Sequence, residues 1–352
     1  MIRITISEND GEQRLDRFLR KYLSSVPLSG IHRMIRKDVK VNGRRVSGET
    51  RLRAGDELSL YISEEQLADY TKKENRQTAG RRTFKIAYED GQILAAVKPA
   101  GLLVHGDGKE KKDTLVNQVT DYLIAQGDYV PRVEKTFSPA AANRLDRNTS
   151  GLVLFGKNAA ALRALADLIR RRGCISKRYL TVVAGDLQEE LHLTGRLEKN
   201  EEMNRVTVSA DPRVSASQPG REGVQESTAG SGKAIETIVR PLTGNGQLTL
   251  AEVELITGRT HQIRAHLAAA GYPVIGDAKY GSAAANRKAA EKYGLQHQFL
   301  HAYKLIFNET EEPLDSLRGK SITAGLPKKL QKMAESAFGT EWMKYSGQNG
   351  QK

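Results

Sequence analysis

Residues 143–151, Asn143-Arg144-Leu145-Asp146-Arg147-Asn148-Thr149-Ser150-Gly151, lead straight into Leu152-Val153-Leu154-Phe155, an apolar run of β type. A carboxylate on a loop that feeds a buried strand is held firmly but stays within reach of a ligand. Arg144 and Arg147 flank Asp146. A guanidinium that approaches a carboxylate keeps it ionised, lowering its pKa by roughly 1–3 units. That suits a nucleophile or base that must be charged at neutral pH. The same residues also spell a turn whose Asp and Ser side chains satisfy local backbone donors, so this stretch alone leaves two readings open.

Two further segments shift the balance. Lys177-Arg178-Tyr179-Leu180 opens a strand, and Gly258-Arg259-Thr260-His261-Gln262-Ile263-Arg264-Ala265-His266 turns into a helix from about Thr260. Ile263 and Leu267 give that helix an inner side, with Arg264 one residue on. His261 and His266 are five apart and do not share a helical face as a metal-binding pair four apart does. Together the three segments resemble the RluA-like family of pseudouridine synthases, which isomerise uridine in RNA. The family's motif is His-Arg-Leu-Asp, two variable residues, then Thr-Ser-Gly; here Asn143 replaces the His. Lys98-Pro99-Ala100-Gly101-Leu102 and Asp277-Ala278-Lys279-Tyr280-Gly281 resemble further family elements, and the likeness spans about residues 84–310. Lys98 is read as part of a turn, without a chemical role.

The resemblance implies the pseudouridine synthase fold. That agrees with a pattern of strands, loops and intervening helices that reads as α+β, a largely antiparallel sheet with a central cleft. It also implies roles. Asp146 is the essential carboxylate, acting either by covalent addition to sugar or base or by removing a ribose proton. Arg264 pairs with it and orients it. Tyr179 stacks on the uracil and takes part in proton transfer. Arg144 fills the gap left in the RNA stack when the target base flips out, a step costing a few kcal/mol.

The 352 residues suffice for two domains. Hydrophobic residues make up 39% and no apolar run approaches 18 residues, so no transmembrane helix is expected. Met1-Ile2-Arg3-Ile4 alternates like a strand and lacks a signal peptide's apolar block, which fits a cytoplasmic protein. A single cysteine, Cys174, excludes an internal disulfide and a multi-cysteine metal site. A net charge of +13 points to a polyanion, with nucleic acid first.

Much of that charge is concentrated. Residues 14–53 hold 12 Lys and Arg against 3 Asp and Glu. Leu15, Phe18, Leu19, Tyr22 and Leu23 form one helical face, with Arg14, Arg17, Arg20 and Lys21 on the other. Ser29 is read as the cap of a second helix that turns Ile31, Met34 and Ile35 inward and Arg33, Arg36 and Lys37 outward. Val39-Lys40-Val41, Asn42-Gly43 and Arg44-Arg45-Val46 read as a basic hairpin. Residues 12–63 resemble the α-L RNA-binding motif of small-subunit ribosomal proteins. The expectation is backbone-directed binding through Arg17, Arg20, Lys21, Arg33, Arg36, Lys37, Lys40, Arg44 and Arg45.

The expected division is an RNA-binding domain at 1–63, a linker at 64–82, a catalytic domain at 83–325 and a tail at 326–352. The linker would let the basic module find its own site, raising the effective local concentration. Asn158 can cap a helix carrying Leu162, Leu165 and Ile169, and Pro327 can start another carrying Leu330 and Met333. Residues 210–233, rich in Gly, Ser and Pro, read as a surface insertion. Their Gly-Ser-Gly-Lys end fails the phosphate-loop pattern, since Ser227 stands at the first Gly and Ala234 follows Lys233.

Isomerising uridine involves no redox change, phosphoryl transfer or external nucleophile. Neither metal nor nucleotide cofactor is therefore expected. The expected partner is RNA, large-subunit ribosomal RNA by resemblance, met by a monomer. A silent RNA-binding ribosome-assembly factor is the alternative, but it has no need of an Asp146–Tyr179–Arg264 set. A glycosidase needs a second partnered acid, and the motifs supply none.

Overall fold

The computed structural model describes residues 1–71, 81–108, 110–131, 134–200, 205–210 and 232–345. An amino-terminal module combines strand β1 (Ile2–Thr5), helices α1 (Leu15–Tyr22) and α2 (Leu28–Lys37), strands β2 (Val39–Val41) and β3 (Glu57–Leu60), and helix α3 (Glu64–Tyr70). Its sheet runs β1-β3-β2. Leu15, Phe18, Leu19, Ile31, Met34 and Ile35 pack on this sheet, so the apolar faces read from the sequence meet in one core.

Two local expectations fail. The second helix begins at Leu28 behind Pro27, with no side-chain cap, and Ser29 lies inside its first turn. Proline is preset for this place: its fixed φ suits the entry and it has no N–H to satisfy. The basic hairpin is cut short. Asn42 and Gly43 do turn with positive φ, but Val41 and Arg44 form a lone bridge and β2 pairs instead with β3. Asn42 drives this by accepting from the Glu57 N–H and donating to Asp56, tying the turn to β3.

The larger part contains β4 (Lys85–Glu89), β5 (Ile93–Lys98), α4 (Leu115–Gln126), β6 (Ala140–Ala141), β7 (Ser150–Gly156), α5 (Ala159–Arg170), β8 (Ile175–Ala184), β9 (Leu191–Asn200) and β10 (Arg205–Ala210). It continues with β11 (Lys233–Gly244), β12 (Leu248–Leu255), α6 (Gln262–Ala269), α7 (Ala283–Tyr293), β13 (Leu300–Phe307), β14 (Ser321–Thr323) and α8 (Lys328–Phe338). The sheet order is β10-β9-β11-β12-β8-β13-β7-β5-β4, with β14 on β13 and β6 on β7. Every pairing is antiparallel except β13 with β7, so the sheet is mixed and largely antiparallel. After β5, Leu103 makes a lone parallel bridge to Thr114. Residues 72–80 of the expected linker and 211–231 of the expected insertion lie outside the described residues.

The apolar run after Asp146 is the strand β7, buried along its whole length. Val153 and Phe155 enter one core layer, Leu152 and Leu154 the opposite one, as the two-residue period of a strand requires. Gly151 has φ +118, and a Cβ there would lie 2.2 Å from the Ala302 carbonyl oxygen, so the backbones of β7 and β13 meet only because no side chain intervenes. Asn158 caps α5, accepting from the Ala161 N–H. The helix from Lys328 holds Leu330 and Met333 in a core layer with Leu180 and Val182 of β8, so the described part of the expected tail packs against the main sheet.

The two parts touch. Asn9 donates to Glu134 and accepts from the Ala159 N–H at the start of α5, Asp10 accepts from the Thr136 N–H and hydroxyl, and Gln13 donates to the Thr136 hydroxyl. The expected free tether is thus a docked module. No helix among the described residues is long and apolar enough to cross a membrane.

Candidate active site

The loop between β6 and β7 alternates in depth. Leu145 is buried in the core, Asp146 is half-buried, and Arg144 and Arg147 are exposed. Leu145 therefore anchors the loop and turns its neighbours outward. Asn143 clamps the loop to β7, accepting from the Leu154 N–H at 2.8 Å and donating to the Leu152 carbonyl. Thr149 donates its N–H to the Asp146 carbonyl, closing the turn. Ser150 meets His301 Nδ1 at 2.8 Å, and His301 Nε2 meets the Ala324 carbonyl. The Thr-Ser-Gly end of the motif is thus structural.

Lys98 is more than a turn residue. It is completely buried, and its Nζ donates to the carbonyls of Pro99, Leu102 and Arg147 at 2.9, 2.7 and 2.8 Å. Three acceptors match the three protons of an ammonium. Burial pushes its pKa down to about 7, against the pull of Asp146. Lys98 thereby stitches the end of β5 to the loop that carries Asp146. A lysine ahead of a proline turn gave no sign of this, because burial is not visible in so short a pattern.

The guanidinium that reaches Asp146 is not one of its neighbours in sequence. Arg147 pairs with Asp107 at 3.4 Å, whereas Arg264, from α6, donates through Nη1 to Asp146 Oδ2 at 2.7 Å. Arg264 also grips Asp277 through Nε at 2.6 Å and Nη2 at 2.8 Å. Burial opposes both charges, yet their mutual attraction prevails, holding Asp277 below its ordinary range and Arg264 above it. Gln262 pins the same helix, donating to the Glu236 carbonyl and the Thr237 hydroxyl of β11. Tyr179, on β8 and 7% exposed, lies near enough that, after burial, the Asp146 charge raises its phenol pKa.

The structure brings together Asp146, Tyr179 and Arg264 from three distant segments. It adds His261 and Tyr280 in places that their spacing in the sequence does not indicate. His261 Nε2 lies 4.0 Å from Asp146 Oδ2 and its Nδ1 lies 3.0 Å from the Tyr280 hydroxyl. That hydroxyl also accepts the Val206 N–H, so Tyr280 ties His261 to β10. The Arg264 guanidinium lies 5.2 Å over the Tyr280 ring.

Of the basic residues expected to meet RNA, Arg17, Arg20, Lys21, Arg33, Arg36, Lys37, Arg44 and Arg45 are exposed. Lys40 is half-buried over the Tyr61 ring. Arg17, Arg20 and Lys21 line a cleft against the larger part of the molecule; the others do not.

A family model described as RNA pseudouridylate synthase matches residues 92–269, which include Asp146, Tyr179 and Arg264. The chain belongs to the RNA pseudouridylate synthase family. This synthase is 32% identical over 342 residues to ribosomal large subunit pseudouridine synthase C of Escherichia coli (strain K12), covering 94% of this chain and 96% of that one. It is 30% identical to the protein of the same name from Vibrio vulnificus (strain CMCP6), covering 95% of each. Among solved structures, human RNA pseudouridylate synthase domain containing 4 superposes with a TM-score of 0.53 at 20% identity, over 71% of this chain and 91% of that one. That likeness supports the fold of the synthase. The activity is that of an isomerase, and the silent-factor alternative gains nothing from these comparisons.

Proposed function

We propose that this synthase converts uridines of large-subunit ribosomal RNA to pseudouridine, as a cytoplasmic monomer, with Asp146 as the reacting carboxylate. The observation that carries the site assignment is the Arg264–Asp146 contact of 2.7 Å beside the buried Tyr179. The bond from ribose C1′ to uracil N1 breaks, the base turns, and a bond from C1′ to C5 forms. The proton on C5 leaves and N1 gains one, so atoms and charge balance without a co-reactant.

Asp146 faces the ribose and base. Arg264 fixes the direction of its carboxylate, itself fixed by Asp277. Tyr179 stacks on the flipped uracil and shares in the proton transfer from C5. Arg144, exposed beside the acid, fills the vacated place in the RNA stack with a planar, permanently charged group. The amino-terminal module, of α-L type, holds the RNA backbone through its arginines and lysines. The target follows from the names of the relatives in Escherichia coli and Vibrio vulnificus. Pseudouridine mapping on ribosomal RNA from cells lacking the chain tests it. Loss of specific large-subunit pseudouridines is expected; an unchanged large-subunit map contradicts the proposed target.

A further inference from the structure

Between the amino-terminal module and the start of α5 lies an open cleft of about 1030 Å³. One wall is α1, with Arg17, Arg20 and Lys21; the other includes Arg163 of α5. Arg14 and Arg51 also reach the cleft but are paired, Arg14 with Asp16 and Glu49 and Arg51 with Glu12. Among the described residues Arg17, Arg20 and Arg163 have no acidic partner. The acids on the lining are two, Glu12 and Glu49, against six cations.

The geometry that makes this cleft is specified. Asp10 is fully buried, and its carboxylate accepts from the Thr136 N–H and hydroxyl across the junction. Were the module to swing away, those bonds would be lost. Asn9 meanwhile satisfies the Ala159 N–H, one of the donors that a helix start leaves open. Docking thus brings Arg163 toward Arg17 and Lys21. Burial and then the nearby Arg17 lower the Lys21 pKa, with Arg163 adding to the effect while Asp10 opposes it. Six cations gathered around two acids are unfavourable together until an anion sits among them.

We infer that this cleft is a composite RNA-backbone site, with phosphates held jointly by Arg17, Arg20 and Lys21 of the module and Arg163 of the catalytic part. The inference rests on the reading of the chain as an RNA-modifying enzyme. It adds that substrate grip depends on docking. The β7 strand separates the Asp146 loop from α5 by seven residues, about 20 Å of extended chain. RNA held in the cleft is therefore gripped away from Asp146, across a hydrogen-bonded junction.

The test uses the full chain and a large-subunit ribosomal RNA transcript, with affinity measured as a function of salt. Arg163 is exposed, so Arg163→Gln leaves the fold intact. Its log–log salt slope should be shallower than that of the unmodified chain by about 0.7–0.9, the value for one phosphate contact. In an Asp10→Ala or Thr136→Val background, where docking is weakened, the same change should have little further effect. If Arg163→Gln leaves the slope unchanged while Arg17→Gln lowers it, the module binds RNA but the composite cleft is wrong. If neither alters the slope, the module's role in RNA binding fails as well. Competition by poly-glutamate equal to that of RNA at matched charge would assign the cleft to an acidic protein segment and overturn the inference.

Discussion

Arg264 holds Asp277 with Nε and Nη2, and this two-point grip aims its remaining nitrogen, Nη1, at Asp146. Asp277 is completely buried, and its carboxylate also accepts from the N–H groups of Lys279 and Tyr280. A planar guanidinium with donors on two edges can bridge two carboxylates in fixed geometry; a lysine cannot.

Asp277→Asn keeps the shape but removes the charge that fixes Arg264. Turnover should fall about 100-fold, the scale for misplacing a reacting group by about 1 Å, with KM little changed. Single-turnover kinetics read the split. A rise in KM with kcat intact would make Asp277 a substrate-binding group instead. Asp277→Ala should also destabilise the fold by about 3–5 kcal/mol, because it leaves Arg264 buried without its partner.

Gly151→Ala should be severely destabilising. Its Cβ would lie 2.2 Å from the Ala302 oxygen, in a backbone region unsuited to side chains. Overpacking and backbone strain together set the cost at about 3 kcal/mol or more. Gly101 has φ +91 but open space around it, so Gly101→Ala should cost only about 1–2 kcal/mol. Thermal melts of the two variants give the comparison, and equal losses would show that contact with β13 is not what demands glycine at 151.

Lys98→Met should leave the Pro99 and Leu102 carbonyls without a donor, while the Arg147 carbonyl keeps only the Gly101 N–H. Unmade buried hydrogen bonds cost about 1–3 kcal/mol per group, and the Asp146 loop loses its stitch to β5. Both stability and kcat should drop. Full activity in a destabilised Lys98→Met chain would separate the lysine from loop positioning.

Acid should weaken the fold through His301. It is fully buried, and burial pushes its pKa down to about 4, partly offset by the carbonyls of Ala324 and Gly325. The unfolded chain takes up a proton below about 6.5, whereas the folded chain resists until about 4. Stability therefore falls as pH drops through that window, by about 3 kcal/mol for this group. Denaturant titrations at several pH values should show a shallower acid loss in His301→Gln. Identical pH slopes in the two chains would contradict this.

Much of this was legible in the chain because it depends on neighbours in sequence. The four-residue apolar run marked β7, and Asn158 marked its helix. What was not legible depends on distant partners. Arg144 and Arg147 flank the acid in sequence, yet both face solvent; the guanidinium at Asp146 arrives on a helix more than a hundred residues away. Lys98 looked like turn punctuation because its three acceptors converge only in the folded chain. The spacing of His261 from His266 bears only on metal binding and says nothing of Tyr280 and Asp146. Docking of the module rests on Asn9, Asp10 and Gln13, polar residues of a loop with no periodic signal.

The most direct test of Asp146 as the reacting carboxylate is tritium release from large-subunit ribosomal RNA carrying uridine labelled at carbon 5. The unmodified chain should release tritium with multiple turnovers. Asp146→Asn, which keeps the size of the side chain, should release none above background while still binding the RNA. Turnover by Asp146→Asn at a rate near that of the unmodified chain would contradict the assignment.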